Sequence, residues 1–294
     1  MTLKETKRIA AVHDISGMGR CSLTMALPVI SASGVECSCL PTALLSTHTG
    51  GFTNFTFKDL SEEMLPIARH WRQVGAEFDG VYSGYLASAA QAELLKEAIS
   101  IIRTDKTRII VDPVMADNGS YYSSFGDDMC EAFKRLCAEA DIITPNITEA
   151  ALMTGVAYED RLHSRDYINT LLEKLGEICH GVIALTGVRP EKGSIGAVAY
   201  DTRTGEKHIA VRPVREGTFH GTGDLFASAF SALTIRGASL KDSTETAIML
   251  VGESIDRTVM RETPRRNGVD FEGALPKYIL QVAKLFAEDD ISDS

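Results

Sequence analysis

A chain of 294 residues is long enough to bury a full core, as one large α/β domain or two smaller ones. Hydrophobic residues make up 44% and charged residues 24%, the balance of an ordinary globular protein. With 30 Lys and Arg against 40 Asp and Glu, the formal net charge is −10, which argues against a nucleic-acid partner, because a phosphate backbone calls for a positive surface. No apolar run approaches the roughly 20 residues of a bilayer span, so no membrane partner is expected. The stretch from Met1 to Asp14 lacks the apolar core and cleavage site of a signal peptide, and a cytoplasmic location is expected. Six scattered cysteines without a CxxC pair read as buried, reduced thiols.

In chain order, Arg8 to Ile15 is an apolar run of strand length that ends in polar and Gly residues. Ser22 to Ser33 reads as a helix that Pro28 should kink or delay. A strand over Glu36 to Ser46 precedes a helix over Ser61 to Gly75, opened by Ser-Glu-Glu. Gly80 to Leu86 is a short strand, and Ser88 to about Arg103 a helix. Thr107 to Pro113 holds a β-branched run stopped by Asp-Pro, as in a buried parallel strand that feeds a loop. Asp127 to Ala140 is amphipathic and helical, and Asp141 to Asn146 repeats the strand-then-Pro pattern. A helix over Ser164 to Cys179 leads to a buried strand, Val182 to Thr186. Ala197 to Asp201 and His208 to Val214 alternate as the arms of a hairpin, which makes part of the sheet antiparallel. Helices over Thr222 to Arg236 and Lys241 to Met260 follow, then a polar break from Arg261 to Asn267 and a last helix over Asp270 to Ala287.

Repeated βα units imply an α/β fold with a mainly parallel central sheet and helices on both faces. One domain is expected over 1–294, with its core at about 8–262, a C-terminal helix, and an acidic tail, Glu288 to Ser294, that should fray. In open sheets of this kind ligands bind beyond the carboxyl ends of the strands. That rule selects Asp14, the Thr42 to His48 stretch, Tyr82 to Tyr85, Asp112 to Asp117, Asn146 to Glu149 and Thr186, residues far apart in sequence that would share one edge.

The strongest local signal is Gly217 to Phe226, GTFHGTGDLF, a small-residue loop running into a helix. Gly221 and Gly223 allow a tight turn with bare N–H groups, and with Thr222 and the helix N-terminus they suit a phosphate. Asp224, in the first turn, can take a proton from an alcohol lying beside that anion hole, although an Asp at a helix start is also a common cap. Asp112 before Pro113 also fits a simple turn, Asn146 a cap for the helix after it, and Thr186 an ordinary strand residue. No GxxxxGK[ST] sequence occurs, and Gly17 to Gly19 lacks the third glycine of a dinucleotide loop.

Three motifs in order carry a resemblance. GTGD followed by Leu-Phe-Ala-Ser is similar to the C-terminal motif of the ribokinase superfamily, and the stretches from Asp112 to Asp117 and from Ala140 to Glu149 resemble its vitamin B6 kinase and hydroxymethylpyrimidine kinase branch, over about residues 8 to 262. The resemblance implies a ribokinase-like three-layer sandwich and transfer of the ATP γ-phosphoryl group to a hydroxymethyl group. It makes Asp224 the base and Gly221, Thr222 and Gly223 the anion hole. It puts Asn146 and Glu149 at the Mg2+–phosphate end, Asp112 and Asp117 near cation and phosphates, Thr186 by the phosphates, and Arg212 and Val214 beside the adenine. Mg2+ is the implied cofactor, with a monovalent cation as a further possibility, and a homodimer is the implied assembly.

For the acceptor, Asp14 and Ser16 lie in a stretch similar to the DxSGGAG of hydroxymethylpyrimidine kinases, from which it departs after the first glycine. Thr42 to Thr49 resembles the T-x-x-x-S-x-H-T pattern of pyridoxal kinases, and Ser83-Gly-Tyr85 resembles their G-Y segment. Tyr85 and His48 could flank a pyridine ring, or His48 could be a hydrogen-bonded core residue. A B6 vitamer is the first reading, hydroxymethylpyrimidine the second, and a vitamer sensor without turnover the third. The intact Asp224, Asp112 and Glu149 argue against a sensor, which needs no base. A lid is expected from 117–125, or alternatively from the 197–214 hairpin.

Overall fold

A computed structural model describes residues 5–287. Nine strands form one sheet in the order β11-β10-β9-β8-β5-β4-β1-β2-β3. Its centre is parallel: β2 (Glu36–Leu45), β1 (Arg8–Ser16), β4 (Gly80–Ser83), β5 (Arg108–Val111), β8 (Ile142–Ile143) and β9 (Val182–Val188). One edge is the expected antiparallel hairpin, β10 (Ser194–Asp201) and β11 (Lys207–Pro213), and the other is a short strand, β3 (Phe57–Asp59).

The parallel strands are continuous apolar runs because both their faces are covered. On one face lie α2 (Ser61–Gln73), α3 (Ala89–Ile102), α4 (Asp127–Ala138), α5 (Ile147–Thr154) and α6 (Arg165–Gly176), packed on Val12, Val81, Val111 and Ile183. On the other lie α1 (Leu23–Ala32), α7 (Thr222–Arg236), α8 (Leu240–Met260) and α9 (Leu275–Leu285), packed on Ile9, Ala11, Tyr82 and Ala184. Nearly all of α7 from Leu225 to Leu233 is buried, since the helix is wedged between the sheet, α1 and α8. This burial fixes where the N-terminus of α7 sits relative to the strand ends.

Several boundaries differ from the sequence reading. Pro28 lies inside α1 without delaying it, at the expense of one hydrogen bond to the Thr24 carbonyl. The cap of α2 is not Ser61: the Asp59 carboxylate accepts the Ser61 N–H at 2.7 Å, and Leu60 occupies the cap position. The last helix starts at Leu275, because residues 270–274 are held in turns. The expected lid region contains a small hairpin, β6 (Ala116–Asp117) and β7 (Ser120–Tyr121), turned by Asn118 and Gly119, both at positive φ. The cysteines are free, but Cys37 and Cys39 on β2 are only half-buried, because that stretch of β2 lies beyond the reach of β3. The acidic tail falls outside the described residues. Among those residues no helix is long and apolar enough to cross a membrane.

Candidate active site

The carboxyl ends of the parallel strands and the N-terminus of α7 meet around a cavity of about 670 Å³. Its wall brings together Asp112, Asp117, Asn146, Glu149, Thr186, Arg212, Val214 and the whole of Gly221 to Asp224. Asp14, Ser16, Thr42, His48 and Tyr85 do not line it. They lie on the side of β1, β2 and β4, so the residues selected from the sequence fall into two groups.

Asp224 stands where the two groups meet. Gly221 is the cap of α7 in the left-handed conformation, at φ 79°, and a Cβ there would run into the Arg20 carbonyl oxygen. The loop between β1 and α1 therefore lies directly on the start of α7. From that loop the Ser22 N–H donates to Asp224 Oδ2 at 2.9 Å, with Ser22 itself at φ 55°. Burial and the nearby charge of Asp14 raise Asp224 to about 6, against the pull of the Ser22 N–H. The carboxylate is ionised at neutral pH and poised to take a proton.

Among the described residues, the acidic groups deeper in the site have no Lys or Arg ion-pair partner. Asp112 accepts the Thr144 hydroxyl at 3.0 Å and is pushed up to about 8 by burial and by the charge of Asp224. Glu149 is buried and shifted well upward, chiefly by burial and then by Asp112. Its two oxygens take the Met115 N–H at 3.2 Å and the Asn146 N–H at 2.8 Å. Asn146 completes a capping box on α5: its Oδ1 accepts the Glu149 N–H, and its Nδ2 donates to the Ala116 carbonyl. The cap reading of Asn146 is thus met, with one hydrogen bond at each of its side-chain atoms. Asp117 turns back onto the Asn118 N–H and Nδ2.

Among the described residues, no group of three or more His, Cys, Asp or Glu side chains converges as a metal cage. The buried carboxylates of Asp112 and Glu149, raised first by burial and then by the charge of Asp224 on Asp112 and of Asp112 on Glu149, still fit a hard cation held largely through its own waters, since its charge would relieve that repulsion.

On the acceptor side, Asp14 is buried and accepts the Ser16 hydroxyl at 2.8 Å. Thr42 donates to the Tyr85 carbonyl at 3.3 Å, so it sets the backbone at the end of β4. The Tyr85 ring packs on Phe125 at 5.8 Å between centroids, and burial, with the Asp14 charge, raises its phenol to about 12. His48 is committed on both nitrogens: Nε2 to the Arg266 carbonyl at 2.6 Å and Nδ1 to the Gly50 N–H at 3.1 Å. Only its ring faces remain for a ligand, which is close to the core reading of this residue.

The phosphomethylpyrimidine kinase family profile matches residues 26–266. The chain belongs to that family. A Bacteroides thetaiotaomicron protein assigned to the same family and crystallised with pyridoxal is 33% identical, with a TM-score of 0.87 over 93% of this chain and 96% of that one. The pyridoxal kinase of Lactobacillus plantarum superposes with a TM-score of 0.86 at 28% identity, over 95% and 99% of the two chains. The hydroxymethylpyrimidine/phosphomethylpyrimidine kinase of Bacillus subtilis is 26% identical over 88% of this chain and 92% of its own length. The ribokinase-like fold expected from the motifs is borne out, and the chain is an ATP-dependent small-molecule kinase.

Sequence reasoning missed several members of this kinase site. Thr144 orients Asp112, and the Thr148 hydroxyl accepts the Gly119 N–H at 3.0 Å, tying the β6–β7 hairpin to α5. Gly252 on α8 faces the cavity, and a Cβ there would come within 3.2 Å of the Arg212 stem, so its absence leaves that side chain room. A glycine in the middle of a long helix was the available signal. Ser22 acts through its backbone N–H, so residue type carried no hint.

Because the folded-state pKa of Asp224 lies above its ordinary value of 3.8, the contribution of this carboxyl group to stability falls as pH rises from about 4 through about 6. Asp224→Asn has no carboxylate to ionise and still accepts the Ser22 N–H. It should melt above the wild type at pH 8, with the gap closing as pH falls toward 4. Calorimetry of both proteins across that range checks this, and equal Tm values at pH 8 contradict it.

Proposed function

We propose that this kinase phosphorylates the 5′-hydroxymethyl group of a B6 vitamer, pyridoxal, pyridoxine or pyridoxamine, using Asp224 as the base. The observation that carries this reading is the position of the Asp224 carboxylate, held by Ser22 between the large cavity and the Asp14–Tyr85 side. ATP would occupy the cavity, with its phosphates toward Thr186 and the α7 start and its base toward Arg212 and Val214. The vitamer ring would lie by Tyr85 and the ring face of His48, with Asp14 and Ser16 reading a polar ring substituent. The pyridoxal-bound relative supports that acceptor class.

In the transfer, the hydroxymethyl oxygen attacks the γ-phosphorus and gives its proton to Asp224, the new O–P bond forms, and the bond to ADP breaks. The amides of Gly221 to Gly223 face the charge that spreads over the phosphoryl oxygens. Mg2+ is the cation proposed beside Asp112 and Glu149, where it would neutralise phosphate charge. Asn146 serves by fixing the start of α5, Thr42 by fixing the backbone of Tyr85, and Asp117 from the hairpin over the cavity. A homodimer, implied by the family resemblance, and a cytoplasmic location, expected from the N-terminal sequence, go with this reading.

The second reading, a hydroxymethylpyrimidine kinase, is favoured by the family description and by the Bacillus subtilis relative. ATP consumption with pyridoxal and with hydroxymethylpyrimidine as separate acceptors distinguishes the two. Turnover of pyridoxal is expected, and turnover of hydroxymethylpyrimidine alone overturns the first reading. With the accepted substrate, Asp224→Asn should lower kcat by roughly 10²–10⁴-fold at nearly unchanged KM values, the range for loss of a general base. Retention of more than about a tenth of kcat rejects Asp224 as the base.

The placement of the ring is tested separately. Tyr85→Ala should weaken pyridoxal binding by about 1–3 kcal/mol, the scale of one buried aromatic contact, with little change in ATP affinity and a smaller loss for Tyr85→Phe. Equal losses for ATP and pyridoxal in a titration would show that Tyr85 acts through the fold.

A further inference from the structure

The loop that leads into α7 carries an imidazole that the reading above leaves without a task. His220 precedes Gly221 and lines the cavity beside the anion hole and Asp224. Its backbone is fixed on both sides: the carbonyl accepts the Val269 N–H at 3.3 Å, and the next residue is the left-handed Gly221. Behind the imidazole lies the loop that follows His48. A Cβ on Gly50 would come within 2.7 Å of His220 Cε1 and Nδ1, and the His48 ring centroid is 5.4 Å away. Both His48 nitrogens are taken by the Arg266 carbonyl and the Gly50 N–H, so that ring offers His220 no hydrogen bond. Among the described residues, none hydrogen-bonds the His220 imidazole.

A polar ring held in this way, half-buried and without a protein partner, has its hydrogen-bonding capacity left for a ligand. Its place limits which ligand. It touches the nucleotide cavity on one side and the 48–51 loop of the acceptor side on the other. The group that must cross that boundary is the phosphoryl group itself, whose charge in flight is spread over three oxygens. The amides of Gly221 to Gly223 approach from the helix end, and an imidazole N–H from the loop would add a donor from another direction. Either neutral tautomer supplies one N–H.

We propose that His220 hydrogen-bonds the phosphoryl group as it passes from the nucleotide to the acceptor alcohol, and so is a further catalytic residue. The inference rests on Asp224 being the transfer point, but not on which alcohol is taken. His220→Phe keeps a ring against Gly50 and removes the donor. Its kcat is expected to fall by roughly 10–10²-fold, somewhat less than for a fully enclosed oxyanion donor, with KM for ATP and for the acceptor within about threefold of the wild type and Tm unchanged. His220→Gln restores a donor at similar reach and should recover most of the lost kcat. A kcat for His220→Phe within twofold of the wild type overturns the proposal. So does a rise in KM at constant kcat, which would mean that the ring only props the 48–51 loop.

A second measurement does not depend on turnover. In the 15N-histidine-labelled protein, the His220 ring signals, assigned by their absence in His220→Gln, should shift on adding MgADP with aluminium fluoride, a planar stand-in for the phosphoryl group. They should shift little with MgADP alone. Identical spectra in the two states overturn the proposal. If the wild type phosphorylates neither pyridoxal nor hydroxymethylpyrimidine, the acceptor reading fails while this measurement still decides the role of His220.

Discussion

The hydrogen bond from the Ser22 N–H to Asp224, at 2.9 Å, joins the two halves of the site. It ties the end of β1 and the start of α1 to the first turn of α7, which are about two hundred residues apart in sequence. The contact requires Gly221, since any side chain there would meet the Arg20 carbonyl. It also requires the burial of α7 against the sheet, which holds the helix end at a fixed height above the strands. The Asp224 carboxylate held there is pushed up by burial, pulled down by the Ser22 N–H and raised again by the charge of Asp14.

Around that point the structure accumulates negative charge that the protein does not neutralise. Asp14, Asp112, Glu149 and Asp224 are all shifted upward, first by burial, and the last three act on one another or on a neighbour of the same sign. Carboxylates crowded in this way, with no Lys or Arg paired to them among the described residues, are costly to keep charged and suit a site that receives a cation with its nucleotide. The crowding acts unequally: Asp224 is pushed up to about 6, and Asp112, which also feels the charge of Asp224, is pushed up further.

Much of this was legible in the sequence, for identifiable reasons. Strands β5 and β8 are apolar runs stopped by Asp112-Pro113 and Thr144-Pro145, and the loop before α7 is rich in glycine, so these strand ends and that stretch of the cavity wall could both be located. The edges were less legible. Strand β3 has three exposed residues and no apolar pattern, and the β6–β7 hairpin is marked only by Asn118-Gly119. Contacts made by the backbone were less visible: Ser22 works through its N–H and Glu149 takes the Asn146 N–H, whereas the cap that Asn146 makes on α5 was expected. His48 shows the limit from the opposite side. A motif selected it for a ligand, and the fold spends both of its nitrogens on Arg266 and Gly50.

The central claim is that one carboxylate serves two adjoining pockets, the nucleotide on one side and a hydroxymethyl-bearing ring on the other. A crystal structure with a non-hydrolysable ATP analogue, Mg2+ and pyridoxal tests it most directly. The account predicts the nucleotide in the cavity bounded by Thr186, Arg212 and Gly221 to Gly223, the ring beside Tyr85, and the hydroxymethyl oxygen within hydrogen-bonding distance, about 3 Å, of the Asp224 carboxylate. A vitamer seated elsewhere, or with its hydroxymethyl group turned away from Asp224, would contradict it.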